Sequence, residues 1–419
     1  MKINDIKCPI LTKQQSDSIA YMEEHPVRLN YQDILHKAEQ KTGLNNYHHL
    51  DFIDRLKVQL QAVEDDKGLN QIGRLSIYND CVRYSANRLL LEHYYTEHNQ
   101  TGEIDKQQIA KPIIVAGLPR SGTTHLLNLI ASDPRVRSMP YWESKEPLPL
   151  LNETATWDEH DPRYKRCLQD WHLQDTMMPL LKSMHEMSPL HVHEELELEN
   201  LDFSSYNLEW LARVPQWRDY YLSHDQTPHY AYIKRVLKAM QHFRPLKNKD
   251  RWVLKCPQHL EQLPCLFQTF SDATVVLTHR DPVEVISSIV TMLAYGDRAK
   301  RYSINAPELA AYWIDRVERL LRKSLEDRPK LEDAGFTLID LPFKTFMQDD
   351  LKAVNHIYDA AGLGLSTDAR SALQAYLQAN PRGKHGRIEY DLENDFDVSI
   401  SALRKRFDFY YQAFDVRDN

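Results

Sequence analysis

The residues best placed to do chemistry lie in one short run, Pro112-Ile-Ile-Val-Ala-Gly117-Leu-Pro119-Arg120-Ser121-Gly122-Thr123-Thr124. Four apolar residues lead into a turn bearing glycine and proline. Two hydroxyl residues then open an apolar helix carrying Leu126, Leu127, Leu129 and Ile130. A strand–turn–helix of this kind aims several backbone N–H groups and a helix N-terminus at one spot, and such a spot binds an anion. Gly117 and Gly122 have the spacing of a Walker A loop, Gly-x-x-x-x-Gly-Lys-[Ser/Thr]. Thr123 stands where that loop has its lysine, and the cation sits inside the turn as Arg120. Without the lysine the loop lacks the group that reaches β- and γ-phosphates, so the expected ligand is not ATP.

Three further segments extend the pattern. Trp252-Val-Leu-Lys255-Cys-Pro257 begins a second strand region, and Ala273-Thr-Val-Val-Leu-Thr-His-Arg280-Asp-Pro282 runs into a helix bearing Ser287 and Ser288. Asn380-Pro-Arg382-Gly383-Lys384-His-Gly386-Arg387 is a basic, glycine-bearing loop. The first loop resembles the 5′-phosphosulfate loop of the sulfotransferases, written Pro-Lys-Ser-Gly-Thr-Thr in cytosolic members. It is Pro-Arg-Ser-Gly-Thr-Thr in tyrosylprotein and many bacterial members. The strand ending in Arg280, with Ser288 eight residues later, is similar to the family's 3′-phosphate motif. The 380–387 loop resembles its third element, with glycine and lysine interchanged. The resemblance spans roughly residues 110–415 and is strongest for the bacterial and tyrosylprotein branch.

This resemblance implies the donor 3′-phosphoadenosine 5′-phosphosulfate (PAPS); no divalent metal is expected, because a monoanionic sulfonate needs less charge neutralisation than a γ-phosphate and Arg120 supplies a fixed cation. Pro119, Arg120, Ser121, Gly122, Thr123 and Thr124 would form the 5′-phosphate cradle, with Arg120 stabilising the leaving oxygen. Because guanidinium stays protonated, that help is electrostatic. Arg280 and Ser288 would hold the 3′-phosphate, with Arg382, Gly383 and Lys384 adding contacts. A hydroxyl acceptor needs a base. The tyrosylprotein branch uses a glutamate a little over twenty residues past the loop arginine, which implies Glu143. Glu146 is the second choice, and His259 stands near the histidine position of the cytosolic members. The acceptor would be a hydroxyl, less readily an amine, on a small molecule, lipid or carbohydrate. The alternatives are a P-loop small-molecule kinase, with Asp340 the nearby acidic strand end, and a non-catalytic nucleotide-binding protein.

The elements that must position these groups follow from periodicity. Strands are expected near 112–117, 252–255, 274–279 and 336–341. Helices are expected near 123–132, 282–295, 306–327 and 349–361. This alternation predicts a parallel sheet covered on both faces, a three-layer P-loop-like α/β fold with ligands at the carboxyl strand ends. Residues 1–110 read as a helical addition packed on the main domain, 111–419, with helical stripes Ile53–Leu56–Leu60–Val63 and Leu75–Tyr78–Val82–Leu89. Within the main domain, 134–250 reads as a helical acceptor-side insertion. It holds five of the seven tryptophans, His185, His191 and His193, and an acidic stretch from Glu194 to Glu199. That stretch argues against acidic peptide acceptors.

The chain has 419 residues, 42% of them apolar, and a net charge of −8. The negative balance excludes a general nucleic-acid binder. No apolar run approaches a membrane span, and the first residues lack a signal-peptide core. Five scattered cysteines show neither disulfide nor zinc spacing, so a cytoplasmic setting is expected. Oligomeric state leaves no mark on the sequence.

Overall fold

In the computed structural model, residues 1–246, 251–384 and 386–417 are described; His385 of the basic loop lies outside them. The centre is a five-stranded sheet, all parallel, in the order β2-β3-β1-β4-β5. The strands are β1 (Ile113–Gly117), β2 (Val136–Arg137), β3 (Arg251–Lys255), β4 (Thr274–His279) and β5 (Thr337–Pro342). β-Branched residues dominate β1 and β4, and both strands are buried throughout, as central strands of a parallel sheet must be.

Side chains alternate between the two faces. Ile113, Val115, Val253, Val276 and Ile339 pack beneath the helices Thr123–Ala131, Asp350–Ala360 and Thr367–Ala379. Ile114, Ala116, Leu254, Val275 and Leu277 join the larger core, which includes the N-terminal helices and the insertion. Three layers result, as expected.

The first hundred residues form the helices Lys13–Glu24, Tyr31–Thr42, Phe52–Asp65 and Gln71–His98. Leu56, Leu60 and Val63 are buried, as their stripe predicts. The second stripe differs: Leu75, Tyr78 and Val82 are only half-buried, and Ile77, Cys81, Tyr84 and Arg88 turn inward. From Arg83 to Glu92 the helix is enclosed on every side. Its polar groups find partners in the insertion, so apolar periodicity no longer marks the inner face. Arg88 and Arg55 each reach Asp202 at 2.7 Å, and Arg83 reaches Glu197 at 2.9 Å. The N-terminal region and the insertion therefore share one core. Among the described residues no helix is long and apolar enough to cross a membrane.

Candidate active site

β1 ends at Gly117, and the chain turns sharply against β4. A Cβ on Gly117 would stand 1.9 Å from Thr278 Oγ1, so only hydrogen fits. The Ser121 hydroxyl is hydrogen-bonded to Thr278 Oγ1 at 2.7 Å and donates to the Leu118 carbonyl at 2.5 Å. Arg120 takes a left-handed backbone conformation, φ +70°, which costs a side-chain-bearing residue about 1–2 kcal/mol. Gly122, φ +87°, precedes the helix Thr123–Ala131, and no side chain caps that helix. Its first-turn N–H groups therefore carry the positive end of the helix dipole.

The cations gather over this turn. Arg120 Nε donates to Ser288 Oγ at 2.9 Å, and its Nη1 donates to the Met184 carbonyl. Arg280, just past β4, donates from Nη1 to the Arg120 carbonyl at 2.6 Å. Its guanidinium lies over the Phe343 ring at 4.5 Å, just beyond β5. The Ser288 hydroxyl also donates to Tyr390 at 2.9 Å. The loop Pro119–Thr124, Arg280 and Ser288 are thus one connected group at the carboxyl ends of β1, β4 and β5.

Arg382 stands at the edge of this group. It pairs with Asp350 at 2.8 Å, and Asp350 also meets His125 of the loop helix at 3.1 Å. Gly383 follows with φ +76°, and Lys384 is exposed. Thr278, Phe343, Met184 and Tyr390 complete the site and were not singled out from sequence. Thr278 had a signal, lying in β4 two residues before Arg280; Tyr390 had none.

At the end of β3, Lys255 Nζ pairs with Glu194. The Lys255 N–H donates to Glu195 Oε2 at 2.6 Å. His259 is hydrogen-bonded through Nε2 to Glu195 at 2.6 Å and through Nδ1 to the Tyr230 hydroxyl at 2.7 Å. Glu197 pairs with Arg83, and Cys256 Sγ lies 3.7 Å from Glu199. Burial, with Glu195 and Glu194 adding to it, holds the Glu199 carboxyl well above the usual range. The acidic stretch is therefore a buried, largely paired layer and not an acidic surface, which removes the electrostatic argument against acidic acceptors.

Each of the candidate bases faces partners of its own. Glu143, on the short helix Tyr141–Lys145, is buried with its carboxylate 3.6 Å from Arg244. Burial raises its pKa, and Arg244, Arg137 and Arg163 oppose the rise. Glu146 is gripped by Arg166 Nε at 3.0 and 3.1 Å. Both ring nitrogens of His259 are engaged, as described above. Asp340 is taken by Arg328 at 2.6 Å and His279 at 2.7 Å. Among the described residues no group of three or more His, Cys, Asp or Glu is arranged to hold a metal ion.

An anion loop at the carboxyl edge of a parallel sheet, backed by two arginines and a serine, defines a class that sequence comparison identifies. The model of the sulfotransferase family matches residues 112–367. The chain belongs to the sulfotransferase family. Sulfotransferase STF1 from Mycobacterium tuberculosis H37Rv is similar at 26% identity, with TM-score 0.77, covering 90% of this chain and 97% of that one. Sulfotransferase STF9 from Mycobacterium avium shares the fold at 22% identity and TM-score 0.80, covering 92% and 97%. No curated protein matches the chain.

Proposed function

We propose that this protein transfers a sulfuryl group from PAPS to a hydroxyl of a small-molecule, lipid or carbohydrate acceptor. The observation that carries this reading is the hydrogen-bonded group Arg280–Arg120–Ser288 over the uncapped helix start at Thr123. Its parts fit a nucleotide with two separate anionic ends. The N–H groups of Ser121 to Thr124 bind the 5′-phosphate, and Gly117 and Gly122 let backbone come close. Arg280 and Ser288 bind the 3′-phosphate, Arg280 with a forked donor pair. Arg382, Gly383 and Lys384 close over the nucleotide from the side of Asp350.

The donor supplies an activated sulfonate on a phosphate leaving group. Arg120 opposes the charge that develops on the bridging oxygen, and its guanidinium is already oriented by Ser288 and Met184. A fixed cation in that place does what a divalent ion does in kinases, so transfer proceeds in EDTA. Asp340, the acidic strand end weighed for a kinase metal, is committed to Arg328 and His279. The insertion and residues 1–110 wall the acceptor side.

Thermal unfolding with and without adenosine 3′,5′-bisphosphate tests the reading. Saturation at about a hundred times Kd adds about 2.7 kcal/mol of stability. The expected result is a rise in Tm with this ligand in EDTA. A rise with ATP and magnesium, and none with the bisphosphate, overturns it.

A further inference from the structure

We infer that His185 accepts the proton of the acceptor hydroxyl, an assignment that rests on the sulfuryl-transfer reading. The preceding residue, Met184, gives its carbonyl to Arg120 Nη1, which anchors His185 beside the loop cation. Among the described residues neither ring nitrogen of His185 has a hydrogen-bond partner, and the residue is half-buried. The other histidines near the sheet ends are occupied: His259 by Glu195 and Tyr230, His279 by Asp340 and Tyr410, His125 by Asp350. Among the described residues His193 likewise has no ring hydrogen bond, but its ring packs on Tyr141 at 4.5 Å, with the His185 ring centroid 6.1 Å away. Lys255 acts on both rings; at His193 it is joined by His191, Lys145 and Arg83, and at His185 by Arg120.

The groups facing His185 are His193 and Glu194 from the insertion, Lys255 from β3 and Arg120 from the loop. Burial first, then His193, Lys255 and Arg120, against the opposing Glu194, bring its pKa down to about 3. The ring is therefore neutral at neutral pH and able to accept. An anion bound at the loop offsets Arg120 and raises the ring's proton affinity, so the base strengthens once the donor is in place. As the acceptor oxygen bonds to sulfur, its proton passes to the open imidazole nitrogen. The bond from sulfur to the bridging phosphate oxygen breaks, and its electron pair leaves with adenosine 3′,5′-bisphosphate beside Arg120.

The test uses the full chain, with His185→Ala and the shape-keeping His185→Asn. Release of adenosine 3′,5′-bisphosphate from PAPS is followed with three acceptors: water, an aliphatic alcohol and 4-nitrophenol, which is largely ionised at mildly alkaline pH. Both variants should lose about 10²–10⁴-fold with water and alcohol and much less with nitrophenolate, which has no proton to give. Added imidazole should restore part of the loss in His185→Ala. Independently of turnover, the ¹⁵N imidazole resonance missing from His185→Asn should report a neutral ring at pH 7, with its titration midpoint moving up when the bisphosphate binds. Equal losses with all three acceptors, unchanged rates, or a ring protonated at pH 7 in the free protein overturns the assignment. If the bisphosphate binds the wild type while these outcomes hold, His185 alone is refuted; if it does not bind, the sulfuryl-transfer reading falls first.

Discussion

Replacing Arg280 by alanine separates the two anionic ends of the donor. In the structure Arg280 donates to the Arg120 carbonyl at 2.6 Å, lies over the Phe343 ring at 4.5 Å and has Glu284 3.8 Å from Nη2; the proposed function gives it a second job, holding the 3′-phosphate. The first job supports the loop and should matter for any nucleotide with a 5′-phosphate. Because the donor is a charged guanidinium, that hydrogen bond is worth about 1.5–3 kcal/mol, so its loss costs up to about 10–150-fold in affinity for either ligand. The second job matters only for a ligand with a 3′-phosphate. A hydrogen bond to a charged group is worth about 1.5–3 kcal/mol, or about 10–150-fold at 1.4 kcal/mol per decade. Titration calorimetry with adenosine 3′,5′-bisphosphate and adenosine 5′-phosphate, on both proteins at one ionic strength, isolates the second quantity as a difference of differences. Arg280→Ala should weaken the bisphosphate by that additional 10–150-fold relative to the monophosphate. An equal loss for both ligands would refute the 3′-phosphate role and leave Arg280 as a support for the loop. No loss for either would refute both jobs.

Three further outcomes are expected. Gly117→Ala sets a Cβ 1.9 Å from Thr278 Oγ1, so chemical denaturation should show about 1–3 kcal/mol of lost stability, together with lost bisphosphate binding. Tyr390→Phe removes the hydroxyl that accepts from Ser288 at 2.9 Å; bisphosphate affinity should fall by about 0.5–1.5 kcal/mol, and an unchanged Kd would detach Tyr390 from the site. Burial alone would raise the Asp161 carboxyl, but the Arg163 guanidinium and the backbone N–H groups of Arg163 and Trp157 hold it down at about 2, below its ordinary 3.8. A depressed carboxylate contributes stability above its ordinary value and loses it as pH falls through the folded one. Urea unfolding should therefore show Asp161→Asn destabilised at pH 7, with the gap to wild type narrowing as pH drops from about 4 toward about 2; a gap that is flat in pH would show that the pair contributes nothing.

The strand–turn–helix around Gly117 and Gly122 was readable from sequence because it is built from backbone. Gly117, Gly122 and the strand–turn–helix order determine where the N–H groups point, and a dozen contiguous residues carry all of that. The strand Thr274–His279 and the helix from Pro282 were readable for the same reason: a buried parallel strand is a continuous apolar run, and Asp281 caps the helix that follows. β2 escaped because two residues, Val136 and Arg137, are too short to show a period. The surroundings of the candidate bases were far less readable, because they are set by partners distant in the chain. Glu143 is held by Arg244 and Glu146 by Arg166, and nothing within a turn of either residue shows it. The acidic stretch looked like surface because charge is usually exposed, yet Lys255, His259 and Arg83 reach it from three separate elements and bury it. The same reasoning explains why His185 was noticed and not chosen. Its spacing to Arg120 in sequence carries no information, and only the Met184 carbonyl on the guanidinium brings the two together. Motifs made of amides survive in a sequence as local patterns. Sites made of side-chain pairs become visible only when the fold has chosen which charges each one must face.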